Sequence, residues 1–141
     1  MDAEGYIRET VHRLYYGYDI NCACTTLICL SHLLSMPVPE EVLQCAAGMH
    51  GAGGYRAQCG LVEGSLMAIG LYGASKGHDR GWISQACYGF AESFEKEFSS
   101  LRCKELRPGG FSASDPPHLC EDLTCRAIAF SYRYIIGISS R

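Results

Sequence analysis

The chain has 141 residues, nine of them cysteine, with apolar residues at 48%, charged residues at 19% and a formal net charge of −3. That apolar share excludes a disordered chain, and 12 Lys and Arg against 15 Asp and Glu carry no bulk nucleic-acid signature. The cysteines fall short of the roughly 8–10% that marks a small disulfide scaffold, and an odd number cannot pair completely within one chain.

Met1-Asp2-Ala3-Glu4-Gly5 is acidic, where a secretory signal would be basic and then apolar. No apolar run approaches the ~18 residues of a membrane span. The nearest, Ala127 to Ile138, contains Arg133. These features predict a cytoplasmic protein with neither nucleic acid nor membrane as partner. In a reducing cytosol many cysteines point to metal, cluster or redox work rather than to structural disulfides. Against that stands the plain role of free Cys as a small buried hydrophobe.

In chain order, Tyr6 to Tyr16 places Ile7, Val11, Leu14 and Tyr15 on one helical face, and Gly17-Tyr18-Asp19 ends it. Asn21 to Leu34 is apolar nearly all round, which predicts a central helix. Met36-Pro37-Val38-Pro39 is a firm break, and Pro39 suits the first position of a helix reaching about Ala47. Gly48 to Gly54 holds four glycines in seven residues and reads as a loop. A helix follows from about Gln58 to Gly73, with Gly60, Gly64 and Gly70 inside it. Each costs roughly 0.8–1 kcal/mol against Ala, so the spacing predicts close approach of another backbone. Asp79 to Ser99 repeats Phe90, Phe94 and Phe98 on one face, a core stripe. Arg107 to Pro117 is a Pro/Gly/Ser loop, with Asp115 an N-cap candidate for a last helix ending near Ile138. The expectation is a single all-α domain over residues 1–141: a bundle of five to seven helices, with a glycine-rich loop before the cysteine-bearing helix.

Among the cysteines, Cys45 and Cys87 fall in apolar helical patterns and read as packing residues. Cys24, Cys29 and Cys125 default to the same role. Cys59 follows the glycine loop in a predicted first helical turn, where unpaired N–H groups and the helix dipole lower a thiol's pKa, and Arg56 adds positive charge. No Cys-x-x-Cys occurs, so the chain lacks the thioredoxin and zinc-knuckle signatures, and no Cys-x-x-Cys-His occurs, so covalent haem is excluded. The glycine run lacks a Gly-Lys-Ser/Thr ending and follows a helix, against a phosphate loop or a dinucleotide fold. Any metal site must therefore be assembled from distant segments.

Taken in order, Gly17-Tyr18-Asp19-Ile20-Asn21-Cys22-Ala23, the run Gly48 to Arg56, Cys59-Gly60-Leu61-Val62-Glu63-Gly64, Leu101-Arg102-Cys103-Lys104-Glu105-Leu106 and Cys120 resemble the redox-active family named for its pattern C…GCAxxG…C…C. The resemblance runs from about residue 6 to 135. Leu61, where a smaller residue is usual, and the carboxylate of Glu63 depart from it. The resemblance maps the family cysteines to Cys22, Cys59, Cys103 and Cys120 and implies redox activity, with iron–sulfur or other metal binding in some relatives.

On that basis the four cysteines are candidate ligands of an iron–sulfur cluster or other metal ion, serving an electron donor or acceptor protein. Gly51, Gly53, Gly54 and Arg56 are candidates to surround the bound group, since N–H donors tune cluster potential. The alternative is metal-free thiol–disulfide chemistry, with Cys59 as the attacking thiolate and Cys103 or Cys120 resolving. A third reading is a helical oligomerisation module, and a homodimer is expected as the commonest symmetric assembly. His50 and His118 are the nearest histidines in sequence to Cys59 and Cys120, and Glu63 lies one turn past Cys59. For these three an ordinary structural role comes first. His12, His32 and His78 read as surface or half-exposed residues.

Overall fold

A computed structural model describes residues 2–107 and 109–139. Met1, Pro108, Ser140 and Arg141, and with them one position of the expected 107–117 loop, lie outside the described residues. Five long helices form the body: α1 (Ala3–Tyr18), α2 (Cys22–Leu33), α5 (Gly60–Ser75), α6 (Arg80–Phe98) and α8 (Glu121–Ser139). Shorter pieces fill the gaps: α3 (Glu40–Cys45) with a 3₁₀ turn at Ala46–Gly48, the four-residue turn α4 (Gly51–Gly54) and α7 (Cys103–Leu106). No strand occurs among the described residues, and the fold is the expected all-α bundle. A single antiparallel bridge pairs Gln58 with Arg102.

Local chemistry sets the helix ends. The carboxylate of Asp2 accepts the Gly5 N–H, the side-chain oxygen of Asn21 accepts the Cys24 N–H, and Asp79 accepts the Trp82 N–H. These satisfy N–H groups that the first turn leaves without partners. Of the expected break at Gly17-Tyr18-Asp19, the first two residues still belong to α1; the stop is Asp19, in the left-handed conformation with φ 50°.

The core lies where α2 meets α5, α1 and α8. Leu27, Cys29 and Leu30 of α2 are fully buried, as are Val11, Val62, Ile69 and Ile128 from its neighbours. Two glycines make the α2–α5 approach possible. A Cβ on Gly64 would stand 2.6 Å from the Ala23 carbonyl oxygen, and one on Gly60 would meet the Cys22 sulfur. The close approach expected from the glycine spacing therefore holds at these two positions. Gly70 faces open space instead. Phe90 and Phe94 are buried and, with the half-buried Phe98, gather round Phe130 of α8.

Two expected helix starts shift. Gln58 is held extended by its bridge to Arg102, and Cys59 sends its own N–H to the Leu101 carbonyl at 2.8 Å. α5 therefore starts at Gly60, and Cys59 is its N-cap rather than part of the first turn. α8 starts at Glu121, not after Asp115. The Asp115 carboxylate accepts the Ser112 N–H at 2.9 Å and pairs with Arg107, closing a turn of its own. His118 then adopts φ 60°, which no right-handed helix tolerates. Cys120 stands just outside α8, its carbonyl accepting the Thr124 N–H.

Candidate four-cysteine site

Four separate segments bring the candidate cysteines together. Cys22 opens α2, Cys59 caps α5, Cys103 opens α7 and Cys120 precedes α8. Backbone hydrogen bonds fix one pairing: the Cys59 N–H reaches Leu101, and the Cys103 N–H donates to the Ala57 carbonyl at 2.7 Å. Asn21 fixes another contact. While its oxygen caps α2, its amide nitrogen donates to the Ala47 carbonyl at 2.8 Å and lies 3.2 Å from Nδ1 of His50. One short polar side chain thereby ties the start of α2 to the glycine-rich segment.

Cys22, Cys103 and Cys120 line a cavity of about 370 Å³, together with Tyr15, His50 and Arg56. Cys59 is buried behind them. Burial pushes the Cys22 thiol up to about 12, and the nearby Cys103 and Cys120 push it the same way; the N–H groups of Cys22 and Ala23 oppose the rise. Burial also lifts Cys59 to about 12, helped by Cys22 and Cys103 and opposed by the N–H groups of Leu61 and Val62. Helix N-termini thus face both deep sulfurs, as the sequence suggests for Cys59, but desolvation outweighs them. The expected low-pKa thiolate at Cys59 is therefore corrected: as a free thiol it stays protonated. Cys103 and Cys120 are also raised by burial. For both, Arg107 is the largest opposing influence, and Arg56 also opposes at Cys103.

The other candidates divide. Gly54 and Arg56 line the cavity, and a Cβ on Gly51 would press on Arg56 and on Cys103. Gly53 is exposed with open space beside it. His118 also lines the cavity, stacked on Tyr15 with ring centroids 4.6 Å apart and its Nε2 2.9 Å from Asp19. Glu63 is instead hydrogen-bonded to Gln58. Cys29 and Cys125 are buried packing residues, and Cys24 and Cys87 are partly so. Cys45 is exposed, contrary to its apolar pattern, because α3 buries none of its residues. Sequence reasoning missed Arg107 and Phe111. They sit in a loop with no periodicity, and nothing in the sequence marks either of them.

The donor set is soft sulfur, the kind that iron–sulfur clusters and zinc take. Among the described residues, however, no three His, Cys, Asp or Glu side chains are grouped as a single metal ion would require. No helix among those residues is long and apolar enough to cross a membrane. No curated protein and no solved structure matches the chain. A family model described as "Putative redox-active protein (C_GCAxxG_C_C)" matches residues 20–134, a span that takes in all four converging cysteines. The chain belongs to that family.

Proposed function

We propose that Cys22, Cys59, Cys103 and Cys120 hold an iron–sulfur cluster or another thiophilic metal centre that exchanges electrons with a protein partner. The observation that carries this reading is the convergence of four thiols from four distant segments, three lining one cavity and the buried Cys59 interacting with Cys22 and Cys103. Buried thiols that raise one another's pKa are poorly placed to ionise alone. A metal centre supplies the positive charge that lets them do so. The N–H groups of Ala23, Leu61 and Val62 near the two deep sulfurs are the donors that such thiolates need. The bound group would supply one-electron chemistry. A single ion requires the sulfurs to draw closer together, whereas a cluster shares them among several metal atoms. Anaerobic reconstitution with iron and sulfide tests the reading. Iron content and visible charge-transfer bands are expected in the wild type and lost in the Cys59→Ser, Cys103→Ser double variant. Full iron content in that variant overturns the reading.

One observation favours a metal-free alternative. Cys103 is half-buried beside Arg107 and Arg56, which makes it, not Cys59, the thiol with charge support for attack. Its thiolate would attack a substrate disulfide, forming a mixed disulfide and releasing one substrate thiolate, which takes up a proton. The Cys120 thiolate would then attack Cys103 Sγ, expelling the second. The substrate disulfide is reduced to two thiols as Cys103 and Cys120 are oxidised to a disulfide. Mass spectrometry of Cys120→Ser with a model disulfide should trap the mixed adduct on Cys103. An adduct elsewhere, or none, removes this alternative.

A further inference from the structure

The cavity beside the cysteines is cationic in a way that the thiols alone do not require. The guanidinium of Arg56 lies 3.8 Å from the Phe111 ring centroid, and that of Arg107 lies 4.4 Å from it. All three residues line the cavity. Arg107 meets the Asp115 carboxylate only at 3.4 Å through one terminal nitrogen. Its Nε is buried and has no hydrogen-bond partner among the described residues. A buried N–H without an acceptor is costly and rare. The carboxylate that lines the cavity, Asp19, is 2.9 Å from His118.

The backbone adds a second observation. Six described residues other than glycine have positive φ, and three of them, Asp19, Arg56 and His118, line this cavity. Asp and His tolerate that conformation better than most residues. Arg56, at φ 71°, has no such excuse. Strain of this kind persists where the surrounding structure enforces it, and it clusters at ligand clamps and active sites. Here it holds an arginine at the rim of the cavity.

We infer that the cavity binds a small oxygen-bearing anion, a carboxylate or inorganic oxyanion, gripped by Arg56 and Arg107 next to Cys103. The planar guanidinium fork matches two oxygens of such a group, and the terminal nitrogens of Arg56 and Arg107, which both line the cavity, would donate to them. Phe111 lies between the two guanidiniums and leaves only its ring edge for the remainder of an organic acid. The volume, near the lower end of the roughly 300–1,000 Å³ of small-molecule sites, limits the ligand to a few heavy atoms beyond its charged head. The inference rests on the reading of this cavity as the redox site. It names the class of molecule held beside the thiols, and without that reading the anion has no assigned purpose.

Isothermal titration of metal-free, fully reduced protein at low salt tests it, with sodium phosphate and sodium benzoate as the two probes. Saturable one-to-one binding of at least one probe is expected, weakened about tenfold or more, some 1.4 kcal/mol, by Arg56→Gln and by Arg107→Gln. Phosphate alone would identify an inorganic oxyanion. Benzoate alone would identify an organic acid. Because Arg107 is largely buried, circular dichroism checks that its variant folds; if it does not, the exposed Arg56 decides. Absence of saturable binding of either probe up to about 10 mM, a free energy near −3 kcal/mol, overturns the inference. So does unchanged binding in Arg56→Gln. The protein is metal-free throughout, so this outcome is separate from the iron content that tests the metal centre.

Discussion

The sulfur of Cys22 occupies the place where a side chain on Gly60 would begin. The absence of a Cβ at Gly60 therefore belongs to the site as much as to the helix packing. Gly60→Ala and Gly64→Ala should each lower stability by about 1–3 kcal/mol, the usual cost of overpacking a close contact. Gly70→Ala, with nothing within 4 Å, should instead raise it by about 0.5–1 kcal/mol, the helix penalty of glycine. Urea unfolding midpoints measure all three. An unchanged midpoint for Gly64→Ala would contradict the close α2–α5 approach.

The raised thiols set a pH dependence. Cys22, Cys29 and Cys59 have folded values near 12, against 9.0 for an unhindered thiol. Between those values the unfolded chain has lost protons that the folded chain keeps, so folding weakens as pH rises. The metal-free protein should hold its stability below about pH 9 and lose it progressively toward pH 12. Denaturant midpoints measured across that range should fall. A flat profile would mean that these thiols are not buried.

Tyr15 joins the core to the cavity. Its hydroxyl is 2.7 Å from Oγ1 of the fully buried Thr124, and its ring stacks on His118. Tyr15→Phe should cost about 1–3 kcal/mol by leaving the Thr124 hydroxyl without a partner. Adding Thr124→Val should recover much of that loss, because both polar groups are then gone. A double-mutant cycle in urea reads the coupling, and strict additivity would refute it.

Thiol accessibility gives a further outcome. Brief alkylation of the native, metal-free protein should label Cys45 first, because it is exposed, and should leave Cys29 and Cys59 unmodified. Metal loading should add Cys22, Cys103 and Cys120 to the protected group. Peptide mass spectrometry resolves each residue. Early labelling of Cys59 would contradict its burial behind the cavity.

Much of the bundle was legible because helices declare themselves locally. The period of Ile7, Val11 and Leu14, the Phe90 stripe and the prolines around Val38 each dictate structure within a few residues. Gly60 and Gly64 were legible as a close approach, but not its partner, because spacing carries no address. The start of α5 was misplaced for a tertiary reason and that of α8 for a local one. Gln58 is drawn into a bridge with Arg102, and Asp115 into a turn with Ser112. The cysteine set came from resemblance and not from spacing. The expected acidity of Cys59 failed because the helix terminus could be inferred from sequence and the desolvation could not. Arg107 and Phe111 left no signal, since a loop residue acquires meaning only from what faces it.

The bridge between Gln58 and Arg102 has a consequence for how this centre can vary. The hydrogen bonds from Cys59 to Leu101 and from Cys103 to Ala57 make the interval between two of the thiol-bearing backbones a main-chain dimension. Side-chain replacement cannot retune it, whereas a one-residue slip would turn every side chain in the pairing to the opposite face. Charge is under no such constraint, since Arg56 and Arg107 can be exchanged without touching those two bonds. The protein therefore separates gauge from voltage: the spacing of Cys59 and Cys103 is written in the backbone, and the potential around them in replaceable side chains.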